Sequence, residues 1–236
     1  MLNNDNSVRH AEEMWQHLIL PSVEVEQVST PVIALEGHNG AGKSTIRSLI
    51  GEHFKMETHA GVPDALLARG LKYRMIAETN WQASALYFLS GVIEKLRELR
   101  TLDNSVGFHL IERSLWSTMS AHASEDPGRL AKIVAILREV GINLCEPDYT
   151  IILNATFDHC YGRIQLKEDA EEKALDSLLT HETYYQKEAV FYRWLEKNRQ
   201  KRIFHIDVTG RESIDVFRDD IIPLLDKLNS GKQKLL

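Results

Sequence analysis

The chain has 236 residues, 43% hydrophobic and 26% charged, with a formal net charge of −6. That composition supports a full-sized core and excludes disorder as the default, and the length suits one α/β domain. The acidic balance excludes a surface that wraps a nucleic-acid polymer, which needs clustered Lys and Arg, but not a nucleotide ligand, for which a few placed cations suffice.

Residues 1–7 are polar. Val8 to Leu20 sets Ala11, Trp15 and Leu18 along one helical face and is closed by Pro21, and 22–31 reads as a linker. The N-terminus carries Asp5, Arg9, Glu12 and Glu13 and no signal-peptide core, and no apolar run is long enough to span a bilayer. A cytoplasmic protein without membrane contact is expected. Cys145 and Cys160 give neither metal spacing nor a disulfide framework, so reduced thiols are expected.

Val32 to Leu35 suits a buried strand. From Gly37 to Ser44 the chain fills the pattern G-x-x-x-x-G-K-[ST], and Thr45 to Phe54 continues with Ile46, Leu49, Ile50 and Phe54 at helical spacing. Strand, glycine-rich turn and helix form the context a phosphate cradle requires. Glycines at 37, 40 and 42 let backbone N–H groups turn toward a polyphosphate at the positive end of the helix. The expected cradle comprises Gly37, Asn39, Gly40, Ala41, Gly42, Lys43, Ser44 and Thr45. Lys43 reaches the outer phosphates, and the Ser44 hydroxyl is placed to ligate Mg²⁺.

Lys55 to Thr58 predicts a second strand, and Asp64 a helix N-cap for 65–71. An amphipathic pattern over 78–100 carries Trp81, Ala85, Phe88, Leu89, Val92, Leu96 and Leu99, with a solvated charged end. Aromatic residues at this spacing read as core rather than as a base-stacking pocket. Phe108 to Ile111 is the third strand, ending in Glu112-Arg113-Ser114. Helices are expected over 115–123 and 130–140, a fourth strand over 149–153, and helices over 157–166 and 175–197. A fifth strand over 202–206 and a helix over 213–228, kinked by Pro223, close the chain.

Strands alternating with helices imply a five-stranded parallel sheet between two helical layers, the three-layer P-loop NTPase arrangement. The expected organisation is an N-terminal helical extension and linker over 1–30 and one domain over 31–230. Within it, Glu112 at a strand end is placed to hold Mg²⁺ or an acceptor oxygen, and Arg113 offers a rigid guanidinium fork to phosphate oxygens.

Leu35 to Thr45, Glu112-Arg113-Ser114, Pro147 to Asn154 with Asp158 to Lys167, and His205 to Gly210 occur in the order of a known family. Over roughly 31–228 the chain resembles the thymidylate kinase and deoxynucleoside kinase branch of P-loop kinases. The resemblance implies ATP as phosphoryl donor with Mg²⁺, held by Lys43, the loop amides, Ser44 and Glu112. It implies Arg113 on the acceptor side and Arg163 opening a lid, with Lys167 one turn later. Glu57 is the implied base for an acceptor hydroxyl, and a homodimer through the long helices is implied as well.

The chain departs from the branch in three places. Asn39 stands where thymidylate kinases usually carry Asp, and Ser90-Gly91-Val92 where a base-reading Arg is usual, leaving space for a larger base. Glu168, Asp169, Glu171 and Glu172 follow where the lid is usually rich in arginine.

The leading expectation is transfer of the ATP γ-phosphoryl to a nucleoside monophosphate or close analogue, with Arg69, Lys72, Arg74 and Arg113 available to an acceptor phosphate. An unphosphorylated nucleoside is the alternative acceptor, and a degenerate nucleotide-binding or regulatory module a second alternative. A GTPase switch is set aside: Asp207-Val-Thr-Gly210 matches D-x-x-G, but no guanine-reading N-K-x-D exists.

Overall fold

A computed structural model of the chain describes residues 2–20, 30–62, 71–139, 146–178, 181–199 and 202–232. Most of the 22–31 linker, Asp64 with all but Leu71 of the helix expected over 65–71, Arg69 and Cys145 lie outside the described residues.

Five strands, β1 (Val32–Gly37), β2 (Thr58–Ala60), β3 (His109–Glu112), β4 (Tyr149–Asn154) and β5 (Ile203–Asp207), form one parallel sheet in the order β2-β3-β1-β4-β5. Parallel neighbours need crossovers, which helices supply on both faces; a strand covered twice is apolar along nearly all its length. Central β1 is buried at every residue. Alternation sends Val32 and Ala34 into one core cluster and Ile33 and Leu35 into the other.

The helices are α1 (Leu2–Trp15), α2 (Lys43–Phe54), α3 (Leu71–Ala77), α4 (Trp81–Thr101), α5 (Leu115–Glu125), α6 (Pro127–Glu139), α7 (Phe157–Gln165), α8 (Ala170–Leu178), α9 (Glu182–Asn198), α10 (Ser213–Val216) and α11 (Ile222–Lys232). The first cluster draws on α1, α4, α5, α6 and α9, and the second on α2, α7 and the C-terminal helices. No helix of the described residues is long and apolar enough to cross a membrane.

Four of the boundaries that differ from expectation bear on the packing or on the site. The extension is helical from Leu2 rather than Val8, and its Ala11 and Trp15 join the main core. Lys55, expected to start the second strand, instead ends α2 in the left-handed region at φ 51°, with its N–H on the Gly51 carbonyl. That cap delays β2 until Thr58.

The helix expected over 175–197 is two. His181 caps α9 by accepting the Tyr184 N–H at Nδ1, 3.2 Å away, so α8 is a separate helix. Near the C-terminus the bend precedes Pro223: Phe217–Ile221 forms a π turn between α10 and α11, with the Ile222 N–H reaching back to the Phe217 carbonyl. Proline offers no N–H and its ring crowds the carbonyl four residues earlier, so a wider turn just before it relieves the clash.

Candidate active site

The strand ends on one edge of the sheet carry the site. Between β1 and α2 the loop turns on Gly37, Gly40 and Gly42, all at positive φ. Gly40 shows why no side chain is tolerated: a Cβ there would stand 2.3 Å from the Cys160 carbonyl oxygen of α7. The loop therefore nests against the start of α7. Ala41 is buried, whereas Ser44 and Thr45 are exposed on the first turn of α2.

Lys43 is 4% exposed and donates from Nζ to the carbonyls of Gly37 and His38, at 2.7 Å each. Burial, aided by the nearby Arg113 charge, pushes its ammonium down to about 8, against partial compensation from Glu112, Glu188 and Glu36. The lysine thus holds the loop to itself while remaining poised for a stronger anion.

Arg113, directly after β3, closes the loop from the other side. It sits at φ 66°, and its backbone N–H donates to the Leu35 carbonyl at 3.0 Å. Its Nη2 donates to Asn39 Oδ1, so the amide oxygen of Asn39 serves as the loop's acceptor without adding charge. Burial opposes its guanidinium charge, but Glu112, Tyr192, Glu188 and Asp176 hold its affinity for the proton above the usual arginine value. Behind it, Gly61 donates its N–H to the Glu112 carbonyl at 2.8 Å, and a Cβ on Gly61 would lie 1.8 Å from the Arg113 carbonyl. The end of β2 is thus pressed onto the Glu112-Arg113 turn.

Glu112 lies half-buried beside Arg47 of α2, Oε2 to Nη1 3.1 Å. Arg163 of α7 comes to the loop's other flank: its Nη2 donates to Ser213 Oγ at 3.2 Å, and its Nη1 would be 2.9 Å from a Cβ on Gly42. Lys167 instead pairs with Asp176 of α8 at 2.9 Å.

Glu57 does not join the group. It precedes β2, at the end of the strand opposite the site, and its side chain is 86% exposed. The αL cap at Lys55 moves the strand three residues on, so the position that reaches the site edge is occupied by Ala60 and Gly61. This corrects the assignment of Glu57 as a proton acceptor. Gly91 is buried on α4. Trp81 packs on the core as expected, while Tyr184 and Tyr192 are buried at the site's rear wall.

Three site residues escaped the sequence reading. Glu36, the last side chain of β1, is fully buried. Its Oε1 accepts from the Ser114 N–H and hydroxyl, both at 2.6 Å, and its Oε2 from the Ser117 hydroxyl. Burial raises its carboxyl, and the serine hydrogen bonds oppose that. By holding the first turn of α5, Glu36 fixes the chain immediately after Arg113. His38 and Glu188 are the other two: His38 of the loop donates from Nδ1 to Glu188 Oε2 on α9. A carboxylate inside an apolar strand run was the visible signal for Glu36. Nothing local marks the His38–Glu188 pair, which spans 150 positions.

The arrangement gathers backbone amides, Lys43, Arg113 and Arg163 around one cradle, with Ser44 and Glu112 as oxygen donors at its rim. Chemically it suits a polyphosphate whose terminal group is neutralised from several sides.

A family model described as thymidylate kinase matches residues 35–213. The thymidylate kinase of Mycoplasma capricolum subsp. capricolum is 21% identical over 212 residues, 86% of this chain and 98% of that protein. Among solved structures, thymidylate kinase from Candida albicans superposes with a TM-score of 0.63 at 17% identity, covering 86% of this chain and 95% of the other. Deoxyadenosine kinase from M. mycoides with bound dATP gives 0.61 at 19%, covering 84% and 98%. At such identities the two structures establish the shared α/β fold.

Proposed function

Because the chain belongs to the thymidylate kinase family, and is thus a nucleotide kinase using ATP, we propose that its acceptor is a nucleoside monophosphate and that the residues gathered at the loop carry the transfer. The observation that carries this reading is Arg113 held against Asn39: a part-buried guanidinium fixed beside the cradle, where an acceptor phosphate would need a counter-charge. The end of β2, Ala60-Gly61, offers no carboxylate to deprotonate a nucleoside hydroxyl. A phosphate oxygen is already ionised and needs no such base.

In this reading the amides from Gly37 to Ser44 and the ammonium of Lys43 bind the donor phosphates. Lys43 exchanges its two carbonyl partners for phosphate oxygens, a stronger charge-assisted contact. Arg113 orients the acceptor phosphate for in-line approach, and Arg163 bears on the transferring group from the Gly42 side. Mg²⁺ suits the donor set: Ser44 and Glu112 are hard oxygen ligands, and this ion commonly takes one or two protein groups beside phosphates and water. When bound, it neutralises charge on the phosphate oxygens. Arg47 already faces Glu112 Oε2, so that carboxylate is held in place for the role. We further take the chain to act as a cytoplasmic homodimer through its long helices. The exposed Leu86, beside Trp81, Leu89, Ile133 and Ile136 in an apolar groove between α4 and α6, supports this.

The test is turnover of ATP against a panel of nucleosides and their monophosphates. Transfer to at least one monophosphate, with its nucleoside slower by about a hundredfold or more, is expected if the phosphate is read by a charged hydrogen bond. Preference for the nucleoside would reverse the reading, and ATP binding without any transfer would make the chain a binding module.

A further inference from the structure

The loop is gripped from behind by a carboxylate that donor binding does not itself require. His38 follows Gly37 in the cradle, where a polar side chain would ordinarily reach solvent, yet it is 2% exposed. Its ring lies on Tyr185 at a centroid distance of 3.9 Å and meets the edge of Tyr192 at 6.2 Å. Nδ1 donates to Glu188 Oε2, while Glu188 Oε1 accepts from Ser120 Oγ at 2.9 Å. The His38 carbonyl receives the Lys43 ammonium.

One carboxylate therefore joins three parts: the loop through His38, α9, which carries Glu188, and α5, which begins just after Arg113. Burial alone would favour a neutral carboxyl, but the His38 ring, the Lys43 ammonium and the hydrogen bonds from His38 and Ser120 bring it down to about 2. An ionised carboxylate buried this deeply demands its donors in place. Satisfying Glu188 thus dictates where His38 sits, and with it the amides on either side. Tyr184 and Tyr192 of α9 and Arg113 of the β3–α5 turn also face this carboxylate.

We propose that Glu188 is a positioning residue for the donor, setting the phosphate loop through His38 rather than by touching the nucleotide. The inference rests on the nucleotide-kinase reading only in taking the loop as the ATP cradle. Loss of this coupling weakens the grip on ATP more than the hold on the acceptor, because Glu188 hydrogen-bonds to the loop through His38, whereas Arg113 feels only its charge.

The test is ATP affinity by calorimetry for the whole chain, with thermal unfolding recorded in parallel, for Glu188→Gln, His38→Ala and the double variant. Glu188→Gln keeps the shape and the Ser120 contact while removing the charge. It is expected to fold cooperatively and to weaken ATP binding about tenfold, the effect of losing one charged hydrogen bond. His38→Ala is expected to do the same, and the double variant to be no worse than either single one, since both cut one strut. Wherever an acceptor is turned over, its KM moves less than about twofold, a split that general loosening of the core would not produce.

A change in ATP affinity below about threefold in a folded Glu188→Gln, or losses that multiply in the double variant, overturns the proposal. Should Glu188→Gln not fold, His38→Gln carries the test with the same thresholds. Absence of transfer to every acceptor would defeat the monophosphate reading but leave the ATP affinities to decide this one.

Discussion

Lys43 is buried among donors and carbonyls before any phosphate arrives, and burial brings its ammonium down to about 8. A bound triphosphate pulls the other way, since a nearby anion favours the charged form. The free-state value is therefore lower than the bound-state value, so ATP affinity is fully present below pH 8 and falls as pH rises through it. Calorimetric titration from pH 6.5 to 9.5 should show that decline, and a flat profile would mean that the ammonium is not lost from the free loop. At this scale the sequence was legible where spacing alone fixes chemistry. Gly37, Gly40, Gly42, Lys43 and Ser44 are one short pattern, and Arg113 meets the loop at Asn39. Glu57 was misplaced because a single left-handed residue, Lys55, shifts the strand register, and non-glycine residues seldom announce that conformation. Glu36 and the His38–Glu188 pair needed contacts across 78 and 150 positions, which no window of local pattern contains.

Among the elements, α1 changed most in meaning. The sequence showed one apolar face but no destination for it. In the fold that face lies on α9 and α6: Trp15 is 1% exposed, packs edge-on against Phe191 with ring centroids 6.1 Å apart, and donates Nε1–H to the Pro127 carbonyl at 3.0 Å. Arg193 adds an exposed pair to Glu12, of little energetic weight. The extension is thus part of the main core rather than an appendage, a matter of tertiary packing that periodicity cannot reveal. Trp15→Ala should lower unfolding stability by about 3–5 kcal/mol, the range for deleting a large buried aromatic side chain. Chemical denaturation measures it, and a loss under about 1 kcal/mol would place α1 outside the cooperative unit.

On the scale of the whole molecule, the five parallel strands and their flanking helices were readable from alternation alone, because each buried strand is a short apolar run bounded by turn residues. Strand order was not: that β1 lies between β3 and β4 follows from how crossovers pack, not from any one segment. The same limit applies to assembly. The apolar groove between α4 and α6 is the surface on which the proposed homodimer depends, and light scattering should return about twice the 27.0 kDa chain mass. Leu86→Lys, which plants a charge where Leu86 stands 48% exposed, should bring that mass down to the monomer value. A monomeric parent chain would dispose of the proposed assembly.

The docking of α1 also bears on synthesis. Its partners are residues 127–139 and 182–198, so α1 finds its seat only after more than a hundred further residues have followed it. Until then its apolar stripe has nothing native to rest on, and contacts of such long sequence separation form slowly. Although it precedes every strand of the sheet, α1 is among the last elements able to reach its native partners.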